Sequence, residues 1–143
     1  MNEGVPTDHE IIVYKVCRCS YKTVPKYVTK VTIVEGIEVI PDRYFESCVY
    51  LRQVNLPQSL RKIGGYAFSK CFHLEMVNLP RNIISIGECT FIWCKKLREI
   101  DIPPEIERVP EECFSECLSL KQVNLPQSLW EIGFSTFYNC VSL

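Results

Sequence analysis

The sequence predicts an α/β repeat solenoid: short parallel strands stacked on one face of a coil, turns or short 3₁₀ and helical segments on the other, and low helix content overall. Three observations carry that expectation. The chain repeats itself every 23 residues without an insertion, the apolar positions within a repeat follow neither a sustained helical period nor one long alternation, and proline and glycine recur at fixed offsets.

The copies align in one phase. From Leu51 the chain reads LRQVNLPQSLRKIGGYAFSKCFH, from Leu74 LEMVNLPRNIISIGECTFIWCKK, from Leu97 LREIDIPPEIERVPEECFSECLS and from Leu120 LKQVNLPQSLWEIGFSTFYNCVS, and Leu143 opens another copy. Residues 28–50 form a weaker first copy that keeps the apolar positions and loses the Asn-Leu-Pro signature. The array thus spans residues 28–143, five 23-residue repeats with no C-terminal cap, and residues 1–27 form a leader with a capping strand, suggested by alternation from Ile11 to Val16. An array that stops at the first position of a sixth copy is expected to be a fragment of a longer one or to have its end covered, with end-to-end self-association as a consequence.

Each element has a local reason. Segments such as Gln53-Val54-Asn55-Leu56 alternate polar and apolar residues, the period of a short strand with one face buried. Pro57, Pro80, Pro103 and Pro126 follow these segments and lack the amide hydrogen a ladder needs, so the strand ends there. Gly64, Gly87 and Gly133 suggest a second turn, and the stretch after them is long enough only for a helical turn or a 3₁₀ piece. No copy can bury its own apolar pattern, but stacked copies can, because each offset becomes a column: Val54, Val77, Ile100 and Val123, or Phe45, Phe68, Phe91, Phe114 and Phe137.

Composition excludes several functions. The 16 basic side chains nearly cancel the 17 acidic ones, so the electrostatic footprint of a nucleic-acid binder is missing. No apolar run is long enough to span a membrane, so no membrane insertion is expected, and no basic-then-apolar export signal is visible at the start. His9 and His73 are the two histidines, no phosphate loop or metal-ligand spacing occurs, and no catalytic residue, metal site or cofactor is expected; the chain reads as no enzyme.

Nine cysteines need an account. Cys48, Cys71, Cys94, Cys117 and Cys140 share one offset, which stacks them at roughly the 4.7–4.9 Å spacing of a parallel sheet with side chains pointing the same way. That arrangement disfavours both a disulfide and a tetrahedral zinc site, and the column reads as buried thiols filling space, as do Cys89 and Cys113. Lys15, Arg18, Lys22, Lys26 and Lys30 make an acid-free run that reads as a solvated cap face in preference to an anion patch.

The pattern L-x-x-V-x-L-P-x-S-L-x-x-I-G-x-x-A-F-x-x-C-x-x-L, met at almost every defined position by residues 51–73, resembles the BspA-like, or Treponema-type, class of leucine-rich repeat. Departures are Pro110 for the glycine, Val34 for the proline, and Tyr44, Thr90, Cys113 and Thr136 for the alanine before phenylalanine. The resemblance implies a curved right-handed leucine-rich-repeat coil, an association with adhesion and protein recognition, and a place at the cell surface. The thiols and the missing export signal point instead to a reducing, cytoplasmic interior. The run CRCSYKTVPKYVTKVTI also resembles the cysteine-containing cap of extracellular leucine-rich repeat proteins, which implies a disulfide or metal role for Cys17 and Cys19; a reduced cap is the alternative.

A binding function would be written on the outward strand positions, since the apolar positions between them point in. These are Lys30 and Thr32, Gln53 and Asn55, Met76 and Asn78, Glu99 and Asp101, and Gln122 and Asn124. The expected partner is a protein, with a surface glycan as second candidate. A structural spacer within a longer multidomain protein is the competing function. Trp93 and Trp130 stand where other copies are mostly polar and are candidate anchors.

Overall fold

In a computed structural model that describes residues 8–13 and 24–143, the chain winds as a parallel-strand β-solenoid. Strand β1 (Glu10–Val13) precedes the repeats. The first strand of each winding is β2 (Lys30–Ile33), β4 (Gln53–Asn55), β6 (Met76–Val77), β8 (Glu99–Asp101) or β10 (Gln122–Asn124). A second, two-residue strand follows in each: β3 (Val39–Ile40), β5 (Lys62–Ile63), β7 (Ser85–Ile86), β9 (Arg108–Val109) and β11 (Glu131–Ile132). All pairs are parallel, and the register equals the sequence repeat: Gln53 faces Met76, Ile63 faces Ile86, and Asn124 faces Asp101. The capping strand forms at Glu10–Val13 and pairs with β2. Cys17 and Cys19, like Lys15, Arg18 and Lys22, lie outside the described residues.

The second ladder was not foreseen, and it explains the glycines. Gly64, Gly87 and Gly133 donate their N–H groups to Ile40, Ile63 and Val109 of the preceding winding at 2.8, 2.8 and 2.7 Å. A Cβ at these positions would lie 2.4, 2.3 and 2.5 Å from backbone atoms of that winding. Close approach of two windings, and not a left-handed turn, requires glycine there.

The stretch after each glycine forms turns; no helix or 3₁₀ segment occurs among the described residues. Two positions per winding adopt positive φ, such as Tyr66 (58°) and Lys70 (59°), or Cys89 (53°) and Trp93 (65°). That conformation turns alternate N–H groups toward the next winding. Tyr66, Phe68 and Lys70 donate to Glu88, Thr90 and Ile92 at 2.9 Å each, whereas Ser69 and Cys71 donate three residues back within the winding. Left-handed backbone at a non-glycine residue costs about 1–3 kcal/mol. Three rungs between windings offset that cost, and they use the very amides a helical turn would need.

The columns close the core. Phe45, Phe68, Phe91 and Phe114 are fully buried and stack with Phe137 at centroid distances of 5.1, 5.5, 5.6 and 5.8 Å and interplanar angles below 10°. Leu51, Leu74, Leu97 and Leu120 are equally buried. The seven cysteines of the described residues are free thiols. Those of the column do more than fill space: Cys71, Cys94 and Cys117 donate S–H to the carbonyls of Phe45, Phe68 and Phe91 at 3.3 Å, and Cys140 to that of Phe114 at 3.1 Å. Burial pushes the Cys48 thiol up to about 11 and holds Cys71, Cys94 and Cys117 well above the usual range, so the proton each donor needs is retained.

One seam divides the ladders. The first-strand sheet runs β1-β2-β4-β6 and resumes as β8-β10; the second runs β3-β5-β7 and resumes as β9-β11. Both part between the third and fourth copies. In the second ladder the cause is Pro110, which stands where the glycines donate and has no N–H to offer Ile86. In the first, the entering bond from Arg98 N–H to the Glu75 carbonyl stretches to 3.4 Å, against 2.8 Å for Lys121 to Arg98. The turn ladder crosses the seam intact, with Cys89, Phe91 and Trp93 donating to Glu111, Cys113 and Ser115 at 3.0, 2.9 and 2.9 Å.

Two measurements check this packing. Phe91→Ala is expected to cost about 3–5 kcal/mol in denaturant unfolding, as for buried aromatics generally, while Lys96→Ala, at an exposed position, shifts stability by less than about 0.5 kcal/mol. In maleimide labelling of native protein at pH 8, read by peptide mass spectrometry, Cys140 is expected to react first among the cysteines of the described residues because it is only partly covered, and Cys71, Cys94 and Cys117 only after unfolding. Early labelling of Cys94 would contradict the column.

Candidate functional site

The outward strand positions form one surface. Gln53, Asn55, Met76, Asn78, Glu99, Asp101, Gln122 and Asn124 are exposed, and Lys30 and Thr32 are half-buried beside β1. Between them Val54, Val77 and Ile100 point into the core, so the pleat fixes the face. Its polar groups are tied across windings: Asn55 Nδ2 donates to Thr32 Oγ1 at 3.1 Å, and Asn124 Nδ2 donates to Asp101 Oδ1. Within windings, Gln53 and Gln122 donate to Asn55 and Asn124, each at 3.1 Å. Lys30 pairs with Glu10 at 3.5 Å. Asn78 sits between these two linked groups, next to the seam.

A cleft of about 470 Å³ opens there, lined by Glu75, Met76, Arg98, Glu99, Lys121 and Gln122. Met76 is 46% exposed, an uncharged and polarizable side chain set among two acids and two bases. Arg98 reaches Glu75 across the seam at 3.8 Å, an exposed pair that contributes little to stability. Three of the residues singled out from the sequence, Met76, Glu99 and Gln122, thus meet in one concavity. Their neighbours Glu75, Arg98 and Lys121 were missed, since each lies one position before a strand, where the pleat gives no direction.

Each tryptophan lines a cleft of its own. Trp130, 71% exposed, stands over a seam opening of about 300 Å³ with Ile84, Glu105, Glu107 and Pro110. Trp93, on the third winding, lines another of similar volume that runs across the turns of the third, fourth and fifth windings. Lys95 lies 5.2 Å from the Trp93 ring and 5.1 Å from that of Phe72.

The remaining candidates are tied into the fold. His73 Nδ1 donates to the Val49 carbonyl at 2.6 Å and its ring stacks on Tyr50 at 5.9 Å, while the thiol of Cys71 faces inward to Phe45. The His9 ring packs edge-on against Tyr27 at 5.4 Å. Of the basic run, Lys26 donates to the Glu46 carbonyl and Lys30 pairs with Glu10. Among the described residues no three histidine, cysteine or carboxylate side chains gather as a metal would need, and no helix is long and apolar enough to cross a membrane.

Comparison with known proteins agrees with the geometry. A leucine-rich repeat protein of T. pallidum shares the fold at 22% identity and a TM-score of 0.68, over 99% of this chain and 73% of its own. A leucine-rich cell surface protein of Faecalibacterium prausnitzii matches at 26% identity and a TM-score of 0.72, over 96% of this chain and 42% of its own. A leucine-rich repeat protein from Eubacterium ventriosum matches at 19% identity and a TM-score of 0.68, over 82% of this chain and 31% of its own. The chain therefore spans most of the first relative's length and less than half of the other two. No curated protein is significantly similar. The profile of the BspA type leucine-rich repeat region matches residues 19–143 in six copies, and the chain belongs to that family.

Proposed function

We propose that the chain is a non-catalytic recognition scaffold that binds a protein partner through its outward strand face, in adhesion at a cell surface. The observation that carries the reading is the 470 Å³ cleft at the seam, where Met76 is offered to solvent between charges of both signs. An apolar centre within a polar rim is the anatomy of a protein contact. The ladders hold this surface before a partner arrives, so little ordering entropy opposes binding. None of the face residues is aromatic, which leaves a sugar no ring to stack on and favours protein over glycan. The likeness to a leucine-rich cell surface protein supports the location.

The test replaces Met76, Asn78, Glu99 and Asp101 together by alanine. These side chains are exposed, so the melting temperature is expected to stay within about 2 °C of the parent. Surface-plasmon binding to the partner is expected to disappear. Undiminished binding would reject this face.

A further inference from the structure

The third and fourth windings, residues 74–96 and 97–119, are joined on one side only. Elsewhere in the array neighbouring windings are bonded along both strands and along the turn segment. At this junction neither strand pair forms. Pro110 has no N–H for the Ile86 carbonyl, and the Glu107 amide makes no bond to the third winding, although Arg61, Ile84 and Trp130 at the same offset donate to the preceding winding at 2.8, 2.9 and 3.0 Å. The corner between the two strands is also untied. There Ser59 Oγ donates to the Ile37 carbonyl at 2.8 Å, Asn82 Nδ2 to that of Gln58 at 3.2 Å and Ser128 Oγ to that of Ile106 at 2.8 Å, each bond reaching back one winding. The fourth winding has Glu105 at that offset, and a carboxylate has no hydrogen to give.

The turn side of the same junction is whole. Cys89, Phe91 and Trp93 donate to Glu111, Cys113 and Ser115 at 3.0, 2.9 and 2.9 Å, and Ser119 donates back to Lys95 at 3.2 Å. The Cys117 thiol reaches the Phe91 carbonyl at 3.3 Å, and the Phe91 and Phe114 rings stack at 5.6 Å. The strand side is nevertheless closed: Val77 and Ile100 are 3% and 1% exposed, as well covered as Val54 (3%) in the paired strand β4. Burial closes it, helped by the 3.4 Å bond from the Arg98 amide and the 3.8 Å ion pair of Arg98 with Glu75. Apolar contact is not directional and does not hold two windings at one spacing as rungs do.

We infer that the seam is a hinge: residues 24–96 and 97–143 swing apart on the strand side about the turn ladder and the phenylalanine file, which stay joined. The structure holds the closed position. Opening is local, because it breaks few bonds on one side and none on the other. Glu75 and Met76 ride on one body and Arg98 and Glu99 on the other, so the hinge sets the width of the strand-face cleft. A partner that fits the widened cleft better than the closed one shifts the hinge by that difference in affinity. The hinge itself rests on the bonds across the seam and stands whether or not a partner binds there.

A cysteine at Val77 reads the opening, because its thiol is covered until the strands part. V77C and, as a control within paired strands, V54C are made in the full chain and labelled with maleimide under native conditions, each site being followed by peptide mass spectrometry. V77C is expected to react at least tenfold faster than V54C. Cys94 and Cys117, buried on the turn side of the two bodies, are expected to stay unlabelled on that timescale, and they also report any global unfolding. Pro110→Gly with Glu105→Ser gives donors back to the second ladder and to the corner and is expected to slow labelling of V77C at least threefold; if that pair disturbs the fold, Glu105→Ser alone is expected to slow it at least twofold. Equal rates at V77C and V54C, labelling of Cys94 in step with V77C, or a V77C rate unmoved by the added donors would overturn the hinge.

Discussion

Every winding hangs on its neighbours through parallel hydrogen-bond ladders whose register equals the sequence period. The strand amides point back, as when Gly64 donates to Ile40, and the turn amides point forward, as when Arg43 donates to Gly65. A winding in the middle of the array therefore gives and receives in both directions, and one taken alone would leave most of these groups unpaired. The shared spacing dictates the rest. Rings must lie flat on one another in the Phe45–Phe137 file, glycine must stand where backbones nearly touch, and the thiols reach the phenylalanine backbone carbonyls of the preceding winding.

The thiol column follows from that spacing. A serine at those positions would bring a more strongly solvated hydroxyl into an apolar file, whereas a thiol fills the gap and still donates a weak hydrogen bond. Protonated and buried, Cys48, Cys71, Cys94 and Cys117 are shielded from oxidation, and the stacked thiols point the same way and cannot pair within the file without backbone movement. The number of these buried thiols is thus no guide to the redox compartment.

The seam turns a local chemical defect into surface. Pro110 withholds one amide from the second ladder, and the neighbouring strands part on both faces, while the turn ladder and the phenylalanine file continue. Openings lined by Met76 and by Trp130 lie along this break. An otherwise uniform rod acquires relief where its sequence is least regular, and the rigid file beneath keeps that relief in place. Repetition supplies the support and departure from repetition supplies the features a partner can read.

The period, the burial of the Phe, Leu and Cys files, the strand ends before Pro57, Pro80 and Pro103, and the outward face through Gln53 and Asn55 were all legible before any coordinates. Each depends on alternation or on in-phase recurrence, which a one-dimensional string records directly. The second ladder was not legible, because a two-residue strand such as Lys62–Ile63 is too short for alternation to show. Nor were the left-handed residues, since Tyr66, Cys89 and Glu112 share a conformation without sharing a chemical character. Clefts between windings lie further still from a string: Glu99 meets Met76, and Glu112 meets Tyr138, only because stacking brings successive copies one strand spacing apart. Which columns exist is a matter of pattern within one winding, and which side chains converge across them is a matter of distance between windings that only folding sets.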